Sequence, residues 1–166
     1  MPPEVLSFAT RPLSRWPNGA GRKADIASGD GWMVGFAWLD ADAPFSDLSG
    51  HNRTITLLDG PGFTLEFASP HPALSVQSPH APRAFDGGWP TQCRIVGPCL
   101  VLNAMSVREA WHHDVRILTS PTHLSAEPPE TIAFLVDLTT RDALRLDGAI
   151  ETRGLPAAYI RFVPKR

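Results

Sequence analysis

The sequence holds no excess of basic charge. Its 15 Lys and Arg stand against 17 Asp and Glu, a formal net charge of -2, so the electrostatic footprint of a nucleic-acid partner is missing. Charged residues make up only 19% of the chain, below the usual quarter. Cysteine is scarce. Cys93 and Cys99 are the only two and form no CxxC pair; they read as buried reduced thiols of a cytosolic protein, although Arg94 beside Cys93 would lower that thiol's pKa. No apolar run approaches the roughly 20 residues needed to span a bilayer. The opening "MPPEVLSFAT" has no basic stretch followed by an apolar one, so no signal peptide is expected. These absences point to a cytoplasmic protein with neither a membrane nor a nucleic-acid partner. Helical patterning is also lacking: no segment keeps apolar residues at i, i+3, i+4 and i+7 over three turns without Pro or Gly interrupting it.

What is present fits an all-β chain. Proline is abundant at 17 residues, and the apolar fraction of 43% is too high for disorder. At 166 residues one domain is expected, 1–166, with a core of its own that needs no disulfide or metal. In "RTITLLDGPGFTLEF" (53–67) Ile55 and Leu57 alternate with threonines, "DGPG" forms a turn, and Phe63, Leu65 and Phe67 alternate again, which predicts a β-hairpin. Further strands are expected at 32–39, 74–77, 93–105 (two runs split at Gly97-Pro98), 111–118 and 131–138, and in "ALRL" and "AAYIRFV". Roughly ten to twelve short strands suit a sandwich or barrel. "LLDG" and "RLDG" hint at two related halves. The Pro, Ser and Thr-rich stretch 119–130 reads as an exposed internal linker.

Candidate chemistry is sparse. The six histidines include no HxH pair; His112 and His113 are adjacent, so on a strand they face opposite sides and cannot easily share a metal. No GxSxG, GxGxxG or P-loop is present. No metal, cofactor or catalytic residue is therefore assigned. Arg53 could clamp a carboxylate with its planar fork, or be a solvated strand-end arginine. Asn103, within the apolar "CLVLNAM", must find partners if buried, either backbone or a ligand in a cavity. Asp86 in "FDGG" is a turn former first and a ligand second. "RWPNGAGRK" (15–23) is either a turn that starts the fold or one wall of a binding site.

Four motifs in order, "WPNGAG" (16–21), "FSDLSGHNRTITLLDG" (45–60), "FDGG" (85–88) and "CRIVGPCLVLNAM" (93–105) followed by Arg108, resemble the HutD/Ves family, cupin-like proteins often encoded with bacterial histidine-utilisation genes. The resemblance spans about Trp16 to Arg116. It implies a metal-free double cupin (RmlC-like jelly roll) of two compact β-barrel halves with few short helices. It also implies a non-enzymatic protein that binds a small carboxylate metabolite, such as urocanate or formylglutamate, in a regulatory role. Trp16, Asn18, Arg53, Asp86 and Asn103 carry over as ligand-binding positions. The chain departs from the family pattern at Pro17, Ala20, Lys23 and Val101, the positions that would set pocket charge. Two alternatives stand beside this reading: a metal-free cupin-type enzyme acting on a small acid, and an oligomeric interaction protein. A homodimer is compatible with each.

Overall fold

The computed structural model describes residues 3–166; Met1 and Pro2, the start of the stretch read for a signal peptide, lie outside the described residues. The described chain is almost wholly strand. In order these are β1 (Glu4–Leu6), β2 (Ser14–Arg15), β3 (Gly21–Gly29), β4 (Trp32–Leu39), β5 (Ala43–Pro44), β6 (His51–Asp59), β7 (Phe63–Phe67), β8 (Leu74–Val76), β9 (Arg83–Asp86), β10 (Thr91–Ile95), β11 (Cys99–Val107), β12 (Trp111–Leu118), β13 (His123–Leu124), β14 (Ile132–Asp137), β15 (Ala143–Leu146), β16 (Ile150–Glu151) and β17 (Ala157–Pro164). One 3-10 turn, Phe8–Thr10, is the sole helical element among the described residues, and no helix is long and apolar enough to cross a membrane.

The strands form four antiparallel sheets. A six-stranded sheet, β2-β3-β4-β11-β6-β9, lies between a four-stranded sheet, β5-β10-β7-β8, and a five-stranded sheet, β1-β15-β14-β17-β12; β13 and β16 form a two-stranded sheet beyond the last. Strand alternation explains why the central sheet can be covered on both faces. On β11, Cys99 and Val101 join the core shared with the four-stranded sheet, with Ile55, Leu57, Phe63, Leu65 and Val76. Leu100, Leu102 and Ala104 join the core shared with the five-stranded sheet, with Phe36, Phe134, Ile160 and Phe162. A third, smaller core fills the space between the five- and two-stranded sheets, around Leu124, Leu135 and Tyr159. Each fully buried Leu, Ile or Phe in these layers contributes about 1.5–3 kcal/mol. The chain is thus an all-β, cupin-like fold of two barrel halves sharing a packed middle.

One expectation is corrected. The stretch 53–67 is not a hairpin. β6 pairs with β11 and β9, whereas β7 pairs with β10 and β8, so the "DGPG" turn carries the chain from one sheet to the next. The "RLDG" turn does the same between β15 of the five-stranded sheet and β16 of the two-stranded one, which gives the repeated turn a common role in the two halves. The stretch 119–130 is largely exposed, yet it is anchored. It holds β13, whose Leu124 is buried, and Thr122 bonds Thr152 in both directions, backbone N–H to Oγ1 at 2.8 Å and Thr152 N–H to the Thr122 carbonyl at 3.0 Å.

Candidate binding site in the mouth of the first barrel

Below the point where Val101 closes the first barrel's core, β11 continues on the same face with Asn103 and Met105. The ladder sets their neighbours. Asn103 pairs with Gly35 on β4 and Ile55 on β6, and Met105 pairs with Met33 and Arg53. Across β4, Gly35 pairs with Asp25 of β3, at a bulge. Alternation therefore turns Asp25, Met33, Gly35, Arg53, Asn103 and Met105 to one face, where the core ends and a cavity of about 570 Å3 begins. Two loops complete the wall: Trp16, Pro17 and Asn18 on one side, Phe45, Ser46 and Leu48 on the other. This volume suits a small metabolite.

The loop "WPNGAG" is both a turn and a wall. Trp16 N–H donates to the Gly21 carbonyl and Gly19 N–H to the Trp16 carbonyl, both at 2.9 Å. The Asn18 side-chain carbonyl accepts from Ala20 N–H at 3.0 Å, which leaves the amide NH2 for the cavity. Gly21 lies under the indole: a Cβ there would sit 2.8 Å from the Trp16 ring and 2.6 Å from the Trp38 carbonyl. Trp16 meets Phe45 edge-on, with ring centroids 6.2 Å apart.

Arg53 is the chemical centre. Its exposure is 7%, not that of a solvated strand-end residue. Its guanidinium carbon lies 4.9 Å from the Phe45 ring and 5.0 Å from that of Phe85, its partner on β9. The aromatic faces offset part of the cost of the buried charge. No carboxylate pairs with it among the described residues, and its Nε has no hydrogen-bond partner. Burial lowers its pKa to about 10, so it remains a cation at neutral pH. Asn103, 9% exposed, lines the same cavity, as does Lys23, whose ammonium stands 3.5 Å from Asp25 at the rim.

Of the five expected ligand-binding positions, Trp16, Asn18, Arg53 and Asn103 converge on this cavity. Asp86 does not line it. Its carboxylate accepts from Gly88 N–H at 2.8 Å and pairs with Arg108 at 2.8 Å, and Arg108 in turn donates to Asn52 at 2.8 Å. Asp86 therefore holds the turn after β9. The neighbouring Gly87 has the more direct bearing on the site: a Cβ there would come within 2.8 Å of the Leu48 carbonyl and 3.1 Å of Arg53 Cδ. Phe45 as the cation's neighbour, and Met33 and Gly35 as cavity floor, are not marked by any pattern in the sequence: "WMVGFAWL" is apolar almost throughout, and only strand geometry turns Met33 and Gly35 to one face.

Cys93 and Cys99 are free and buried. Arg94 does not activate Cys93. Burial pushes that thiol up to about 12, and Arg94 is engaged by Glu66 at 3.0 Å and Asp42 at 3.7 Å.

The second barrel has a mouth of its own, about 470 Å3, on the outer face of β12 and β17. There Arg161 is bound by Asp114 at 2.7 and 3.2 Å and by Glu127 at 3.3 Å. The Tyr159 hydroxyl also donates to Glu127. Hydrogen bonding to Asp114 raises the Arg161 pKa, and burial followed by Glu127 raises that of Tyr159.

No curated protein matches the chain. Two solved structures superpose over nearly its whole length. HutD from Pseudomonas fluorescens SBW25, described in a formate condition, has a TM-score of 0.83 at 22% identity and covers 98% of this chain and 99% of its own. A conserved protein of unknown function from Pseudomonas aeruginosa PAO1, PA5104, has a TM-score of 0.79 at 20% identity, covering 98% of each. At such identity these likenesses bear on fold. The HutD family model matches residues 8–155, and the chain belongs to the HutD family.

Proposed function

We propose that this protein is a non-enzymatic, cytoplasmic small-molecule binder that takes a small carboxylate metabolite into the mouth of its first barrel, with a regulatory role in histidine utilisation. The observation that carries the reading is Arg53: a guanidinium held between two aromatic rings, buried, facing a cavity, and without a counter-ion among the described residues. A buried charge left unpaired is costly, and a ligand carboxylate would repay that cost with charge-assisted hydrogen bonds. The amides of Asn18 and Asn103 would receive its remaining polar atoms, and Trp16 with Phe45 would cover its apolar body. Family membership supports the metabolic setting, in which urocanate and formylglutamate are the natural candidates. Among the described residues no three His, Cys, Asp or Glu side chains come together as a metal would require. Calorimetry and thermal-shift titration with formate, urocanate and N-formylglutamate test the reading. One site per chain is expected, lost in Arg53→Ala. Silence toward all three at millimolar concentration, or binding indifferent to Arg53, would overturn it.

A further inference from the structure

The layer between the two barrels is built from apolar side chains such as Val34, Leu102, Phe134 and Phe162, and an imidazole is set against it. His113, on β12 of the five-stranded sheet, lies against Phe162 at 5.8 Å between ring centroids. Its Nε2 is 2.9 Å from Thr54 Oγ1 on β6, and its Nδ1 is 2.6 Å from Ser106 Oγ on β11. A neutral imidazole has one donor and one acceptor, so one hydroxyl accepts and the other donates.

The place of these bonds is informative. In the ladder, Thr54 faces Ala104, Arg53 faces Met105, and Asn52 faces Ser106. Thr54 and Ser106 are therefore diagonal neighbours on the rear face of the central sheet. The imidazole spans the ladder between them and brackets the Arg53–Met105 pair from behind. On the front face Arg53 has no hydrogen bond from its Nε, and rings rather than polar groups hold its guanidinium. Its aim therefore depends on where the β6 backbone lies; the ladders to β11 and β9 hold that backbone within the sheet, and His113 adds a side-chain tie to it from the second barrel.

We infer that His113 is a positioning residue for the binding site, stapling β6 to β11 so that Arg53 points into the cavity, and that the second barrel thereby supports ligand binding in the first. This rests on the carboxylate-binding reading above. A purely structural staple would act on stability alone; a positioning one also acts on Arg53.

The test separates these. Thr54→Val/Ser106→Ala/His113→Phe removes every polar partner at once, which leaves no buried group unpaired and largely preserves stability. Expected results are a melting temperature near that of the wild type, urocanate binding about tenfold weaker, and faster solvent exchange of the Arg53 Nε–H, followed by NMR on arginine-labelled, ligand-free protein. His113→Gln, which keeps a donor and an acceptor, should hold affinity within about twofold. Wild-type affinity and wild-type Nε–H exchange in the triple variant would overturn the inference. If that variant fails to fold, Thr54→Val alone, which cuts only the β6 bond, is judged by the same two readings. If the wild type takes no urocanate, the proposed ligand fails, and the Nε–H exchange decides the role of His113 by itself.

Discussion

Each barrel mouth carries an arginine, and the two are treated in opposite ways. Arg161 is held by two carboxylates of its own chain, Asp114 and Glu127, with Tyr159 closing the network. Arg53 is more deeply buried and has no carboxylate partner among the described residues. The first arrangement satisfies its own charges and asks for nothing from solution. The second leaves a cation waiting beside a cavity. Stability alone would favour pairing or removing such a charge, and the carboxylate proposed for the first mouth would supply the missing partner. The second half repeats the architecture and uses its ionisable groups to anchor the segment that bears Glu127.

The sharpest way to break this comparison is to remove each charge. Arg53→Met keeps most of the side chain's volume and should weaken carboxylate binding by at least about a hundredfold, a loss of about 3 kcal/mol. It should leave the melting temperature unchanged or raise it, because an unpaired buried charge disappears. Arg161→Met should do the reverse. Affinity should stay within about twofold, while stability falls by about 1–2 kcal/mol as Asp114 and Glu127 lose their partner. Thermal melts and titrations of the two variants side by side would show whether the contrast holds.

A pH series adds a third, independent effect. Burial, with His112 opposing the charged form and Asp114 favouring it, lowers the His113 pKa to about 4. Its folded pKa thus lies below the unfolded value near 6.5. Between these limits the unfolded chain binds more protons, so stability is fully present above about pH 6.5 and is lost as the pH falls toward 4, by on the order of 2–3 kcal/mol. Denaturant melts over that range should lose most of this slope in His113→Gln. The smallest expected effect is at Gly87. A methyl there meets the Leu48 carbonyl and Arg53 Cδ, so Gly87→Ala should cost about 1 kcal/mol of stability and weaken binding several-fold, read by the same titration.

How much of this was legible in the sequence varies by region, for physical reasons. Alternation over 53–58 shows the two faces of β6, whereas "CLVLNAM" is apolar on both sides, and the shared orientation of Arg53 and Asn103 comes from the ladder. The motif "WPNGAG" marked the loop that carries Trp16 and Asn18. The hairpin over 53–67 was misread because "DGPG" specifies a reversal of direction and says nothing of which strand each arm will pair with. In 119–130 the Pro, Ser and Thr report turns and exposure, but not the buried Leu124 or the anchored Glu127. Alternation in "WHHDVRIL" turns His113 to the same face as Trp111, Val115 and Ile117, but its partner Thr54 lies 59 residues away. The Arg161 network likewise joins residues separated by 34 and 47 positions. Such groupings belong to the tertiary fold, and no local pattern announces them.

The comparison of the two mouths comes down to one titration, that of urocanate into the wild type, Arg53→Met and Arg161→Met by calorimetry. The account predicts one site per chain, retained in Arg161→Met and lost in Arg53→Met. Binding that survives in Arg53→Met, or that vanishes in Arg161→Met while the protein remains folded, would contradict it.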